Sequence, residues 1–146
     1  MKTIRLLLPL LIFCGLLTSV HAADQASVQA ILITASNDPG RTDPRLARYE
    51  PTLRRILRFE SYRFVGQGSA NLASPGSGTI NLGNGQQLDV TAEDSSRGLR
   101  LRVVWKQGRR TLMETGLSLN PGVPAVLGGP GTGKGDEVYA VILIGR

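Results

Sequence analysis

Two groups of side chains in this 146-residue sequence have types that could do chemistry: its 11 carboxylates and a cluster of arginines between positions 41 and 63. A pair of carboxylates can hydrolyse a glycosidic bond without any help from histidine, one as acid and the other as base or nucleophile. The acids here are Asp24, Asp38, Asp43, Glu50, Glu60, Asp89, Glu93, Asp94, Glu114, Asp136 and Glu137. Most stand at caps or turns, where a carboxylate is favoured for local backbone reasons. Glu114 alone falls in the middle of a strand-like stretch, Arg110–Leu119, where it reads as a cross-strand partner for Arg100 or Arg102. Nothing in the spacing selects a catalytic pair, so a carboxylate-based hydrolase is the third reading of function.

Other chemistries are excluded by composition. The chain opens with Lys2 and Arg5, an apolar stretch Leu6–Leu17 and Val20-His21-Ala22, the three parts of a secretory signal with cleavage after Ala22. Cys14 and His21, the only cysteine and the only histidine, lie inside that segment. A mature chain of residues 23–146 then has no thiol and no imidazole. That removes disulfides, a cysteine nucleophile, a Ser-His-Asp triad and zinc sites built on His or Cys. No catalytic, cofactor-binding or metal-ligating set is expected, and the product is an exported protein of the periplasm or medium without a transmembrane segment.

The most conspicuous motif is Gly128-x4-Gly133-Lys134, which fits the first seven positions of a phosphate-binding loop. Position 135 is glycine where the magnesium-ligating hydroxyl belongs, and a β-branched strand follows where the loop requires a helix. We read Gly128–Gly135 as a glycine-rich connection between two strands, with no nucleotide bound.

The arginines are the remaining candidate. Without Lys2 and Arg5, the 17 Lys+Arg fall to 15 against 11 Asp+Glu, a net +4. Arg41, Arg45, Arg48, Arg54, Arg55, Arg58 and Arg63 oppose Asp43, Glu50 and Glu60 within one segment, also +4, so the basic character is local. Arg48, Arg54, Arg55 and Arg58 share one side of a helical pattern and form the candidate anion-binding set, for lipid head groups, polysaccharide or nucleic acid. The plainer reading is a solvated helix face.

The elements that position these residues follow from periodicity. Val138–Ile144 is a run of seven apolar residues without polar alternation, and Val28–Ala35 is comparably apolar; both call for cover on two faces and for the central places in a sheet. Asp43-Pro44 starts a helix, with Leu46, Tyr49, Leu53, Ile56 and Leu57 on one arc and Pro51 imposing a kink or a restart near Glu50. Tyr62–Val65 opens a strand that runs into Gly66, Gly68 and a turn-rich Ser74–Gly78. Asn84-Gly85 marks a tight hairpin between Thr79–Leu82 and Gln86–Thr91. Leu99, Leu101, Val103 and Trp105 alternate with Arg100, Arg102, Val104 and Lys106, and Arg110–Leu119 and Val123–Leu127 complete the strands. The fold class is α+β: a single domain of mostly antiparallel β-sheet with seven or eight strands, as a sandwich or partly closed barrel, and one amphipathic helix packed on it.

Two resemblances accompany this reading. Gly122-Val123-Pro124-Ala125-Val126-Leu127-Gly128-Gly129 with the apolar strand after it resembles a hairpin of the secretin family of outer-membrane pores. Ala35-Ser36-Asn37, Asp43-Pro44-Arg45-Leu46, Leu53–Tyr62 and Leu127-Gly128-Gly129 resemble small uncharacterised secreted proteins of Gram-negative bacteria. The resemblance implies an envelope setting and no particular activity. The expected function is a non-enzymatic protein-interaction or structural module of the bacterial envelope, its partner docking by strand addition. A binder of anionic surfaces through the arginine face is the alternative.

Overall fold

A computed structural model describes residues 25–73, 75–93 and 98–146. Residues 1–22, which read as a signal in the sequence and hold Cys14 and His21, and the acids Asp24 and Asp94 lie outside the described residues. Eight strands run in chain order: β1 Gln25–Ser36, β2 Ser61–Ala73, β3 Gly76–Gly83, β4 Gln86–Glu93, β5 Leu99–Gln107, β6 Arg110–Leu119, β7 Ala125–Gly131 and β8 Val138–Gly145. All pairings are antiparallel, and the strands divide into two four-stranded sheets, β2-β1-β8-β7 and β3-β4-β5-β6. The sheets pack face to face as a sandwich that does not close into a barrel.

The two doubly apolar runs, β1 and β8, lie side by side at the centre of the first sheet. Val28, Ala30, Leu32, Val141 and Leu143 point into the sandwich, where they meet Ile80, Leu82, Leu88, Val90, Leu101, Val103 and Trp105 of the second sheet. Ile31, Ile33, Ala35, Ala140 and Ile142 point the other way and are buried by a helical layer through Leu46 and Leu53. Along Ala30–Ile33 and Ala140–Leu143 both faces are therefore buried, which is why these stretches show no polar alternation. In the second sheet the alternation is clean: Arg100 and Arg102 stay exposed while Leu101, Val103 and Trp105 are buried.

The helical segment is two pieces. Asp43 caps a short 3-10 helix, Pro44–Leu46, by accepting a hydrogen bond from the Arg45 amide at 3.0 Å. The α-helix α1, Glu50–Leu57, then starts afresh with Pro51 in its first turn, where the missing amide costs nothing. Pro51 thus begins a helix and does not kink one. With this start Leu53 is fully buried, and Ile56 sits about 60° round the axis from it and is 48% exposed. Ile56 thus stands at the edge of the apolar arc, where the sheet does not cover it.

Glycines set how closely the layers approach. A methyl group on Gly66 or Gly68 would collide with the carbonyl oxygens of Leu82 and Asn81, so β2 lies directly against β3. These glycines continue β2 to Ala73 where a break was expected. Gly128–Gly131 likewise belongs to β7 and not to a loop, which leaves Thr132–Glu137 as the connection to β8. Asn84 and Gly85 both have positive φ (54° and 71°), as a two-residue hairpin of the expected type requires. Among the described residues, no helix is long and apolar enough to cross a membrane.

Candidate functional site

The outer face of the first sheet changes character along its length. On β1 it reads Ser27, Gln29, Ile31, Ile33, Ala35; on β2, Asn71, Ser69, Gln67, Phe64, Tyr62, paired in that order. An irregularity between Leu32 and Ile33 leaves Val65 as an extra residue in β2, and this keeps the apolar ends of the two strands in step. The helical layer covers the apolar end. Where Gln29 and Gln67 begin, the cover stops and three adjoining clefts open.

One cleft, of about 580 Å³, runs from Gln29, Ile31 and Gln67 to Arg45, Arg48, Tyr49 and Phe64. The second, about 450 Å³, shares Gln29 and Gln67 and adds Ser27, Ser69 and Arg146. The third, about 420 Å³, shares Arg48, Tyr49 and Arg146 and adds Thr52 and Pro124. Because neighbouring clefts share residues, they form one continuous trough. No Asp or Glu is among the residues that line it.

The charges on its rim differ. Arg45 is held by Asp43 through two hydrogen bonds, Nε to Oδ1 at 3.1 Å and a terminal nitrogen to Oδ2 at 2.8 Å, and its guanidinium lies 4.1 Å from the centre of the Phe64 ring. The same contacts, chiefly the side-chain bonds from Arg45, lower the Asp43 carboxyl to a pKa of about 2. Arg48 and Arg146 are exposed and have no ion-pair partner among the described residues.

The four arginines singled out in the sequence do not all meet here. Arg48 lines the trough, whereas Arg54, Arg55 and Arg58 do not. Arg54 is engaged elsewhere: its Nε donates to Glu50 Oε1 at 2.9 Å, and its terminal nitrogens donate to the carbonyls of Phe59 and Glu60 at 3.4 and 2.9 Å. It ties α1 to the start of β2. Arg55 is exposed, and Arg58 ends the helix in the left-handed conformation (φ 56°). Arg146, Gln29 and Gln67 lie in segments remote from the arginine cluster and carry no signal that joins them to it, while Arg45 belongs to the cluster but not to the set of four. A polar residue breaking the apolar run of β1 at Gln29 was the one available signal.

The remaining candidates are placed as follows. Asp89 and Glu114 both flank Val104 on the outer face of the second sheet, each one strand away from it. Lys106 lies 2.7 Å from Asp89, Arg102 lies 2.8 Å from Glu114, and Arg100 lies 3.4 Å from Glu93. The hydrogen bond from Lys106 holds the Asp89 carboxyl below its ordinary pKa. These carboxylates thus stand in a row of cross-strand ion pairs on an open surface. Lys134 is exposed in the β7–β8 connection, where Thr132 Oγ1 donates to Glu137 Oε1 at 2.8 Å.

One further surface comes from the architecture. On one side the sandwich is shut by β2 lying against β3. On the other side, β6 and β7 meet only glancingly. Neither edge has a second ladder partner among the described residues. Between them lie the half-buried side chains of Met113, Leu117, Ala125 and Leu127. The chain matches no protein-family model, no curated protein and no solved structure.

Proposed function

We propose that the protein is a non-enzymatic interaction module of the bacterial envelope, exported and acting in the periplasm or outside the cell, which takes up a β-strand from a partner protein. The observation that carries this reading is the open side of the sandwich. β6 offers ten residues of unpaired edge, and β7 offers a second edge nearby. Edge strands left with free amides and carbonyls are templates for another chain. The half-buried apolar residues between them add what a bare edge lacks, a place for the partner's alternate side chains. The expected occupant is an extended segment of alternating apolar and polar residues, its apolar side turned towards Leu117 and Leu127. The tripartite signal at residues 1–22 supports the export half of the proposal.

A photo-activated cross-linking residue in place of Ser118, exposed on β6, tests the docking mode in the native envelope. The same label at Thr91, on the outer face of the second sheet, is the control. Adducts from position 118 and not from 91, with slowed amide exchange in β6 and β7, are the expected result. Recovery of monomer alone, or glycan hydrolysis that vanishes in Glu114→Gln, would overturn the reading.

A further inference from the structure

We propose that the trough on the outer face of the first sheet is a binding site for an acidic oligosaccharide, a sugar chain bearing carboxylates. This does not depend on the open seam between β6 and β7, which belongs to another part of the fold.

The floor of the trough presents neutral hydrogen-bonding groups: the amides of Gln29 and Gln67 and the hydroxyls of Ser27 and Ser69. Side-chain amides both donate and accept, which suits them to sugar hydroxyls. The rim adds Arg48 and Arg146, whose planar guanidinium groups match a carboxylate with two parallel bonds. Arg45 is stapled to Asp43 and lies over Phe64, so it shapes the wall and contributes little free charge. Tyr49, half-buried between two of the clefts, gives an apolar wall with a phenol. The lining carries no Asp or Glu side chain that would repel an acidic ligand.

Shape and stacking select among anionic ligands. The three clefts share lining residues pairwise, and together they offer room for several polyhydroxylated rings. A concave polar floor is a poor match for a flat bilayer, whose binding needs apolar side chains that project outwards. Single-stranded nucleic acid needs exposed aromatic faces, and here Phe64 is already covered by Arg45.

The test is calorimetric titration of the full chain with tetragalacturonate, with maltotetraose as the neutral counterpart. The protein should bind the acidic tetrasaccharide and not the neutral one. Arg48→Gln and Arg146→Gln should each weaken binding about tenfold or more, the loss expected for a hydrogen bond to a charged group. Gln29→Ala with Gln67→Ala should also weaken it, whereas Arg55→Gln and Arg58→Gln should leave it within about twofold, since neither residue lines the trough. All these residues but Gln29 are exposed, and unchanged thermal melting of each variant confirms the fold. Absence of binding would overturn the proposal. So would equal losses in the Arg55 and Arg58 variants, or tighter binding to anionic vesicles or single-stranded DNA than to the tetrasaccharide.

Discussion

The indole of Trp105 occupies the space that a side chain on Gly129 would need: a methyl there would collide with the far edge of the ring and crowd the Tyr139 carbonyl oxygen at 2.9 Å. Through this contact the second sheet is seated against β7 of the first. Gly129→Ala should therefore destabilise the fold by about 1–3 kcal/mol, the usual cost of overpacking a tight core. Urea unfolding followed by fluorescence of Trp105, the single tryptophan, measures it directly. An unchanged midpoint would show that β7 is not seated on the indole.

The same ring is anchored at its polar end. Trp105 Nε1 donates to Gln86 Oε1 at 2.8 Å, with both residues buried. Gln86→Leu would strand the indole N–H at a cost of roughly 1–3 kcal/mol, partly offset because Gln86 Nε2 has no partner among the described residues. Trp105→Phe should cost more, as it removes core volume. The double variant should cost less than the two losses added, since the second change removes a donor already stranded by the first. Strict additivity would show that the bond contributes no coupling.

Acid should weaken the fold in a defined window. Asp43 has its folded-state pKa lowered from 3.8 to about 2, so its contribution is fully present above its unfolded value and is lost as pH falls towards about 2. Asp89 is shifted in the same direction by Lys106. Urea midpoints measured at pH 5 and at about pH 2.5 should differ more for the parent than for Asp43→Asn. Equal acid sensitivity in the two proteins would remove Asp43 from the account.

Lys134→Ala should leave stability within about 0.5 kcal/mol, as is usual for exposed sites away from caps and cores. Nucleotide binding by the parent that disappears in this variant would reinstate the phosphate-loop reading of Gly128–Lys134.

Faces were more legible in the sequence than neighbours. The doubly apolar runs identified β1 and β8 as central, the alternation of Leu99–Lys106 identified the wet side of β5, and Asn84-Gly85 located a hairpin. Each of those signals is local. Alternation says that a residue faces a core, but not which sheet it belongs to, so the assignment of each strand to one sheet of the sandwich was not readable. Gly66, Gly68 and Gly129 looked like breaks because glycine weakens an isolated strand; in the fold they are where another backbone or a ring comes close. The arginine pattern presumes one continuous helix, and the restart at Pro51 divides it into two pieces. As a result Arg48 joins Gln29, Gln67 and Arg146, which no window of sequence places beside it.

The pairing of Val28 with Gly145 joins strands from opposite ends of the described chain. The second sheet, by contrast, is a meander of consecutive strands, β3 to β6, that can zip up from local hairpins as they are made. Until Val138–Gly145 has been synthesised, β1 has β2 on one side only, and its other edge carries some of the most apolar backbone in the protein. Long-range β pairing is slow because the loop-closure entropy is lost before the contacts form. Topology therefore predicts that the first sheet is completed late in folding, which pulse-labelled amide exchange in β1 and β8 would check. On that order of events, the β8-facing edge of Val28–Ala35 is the stretch left unpaired longest.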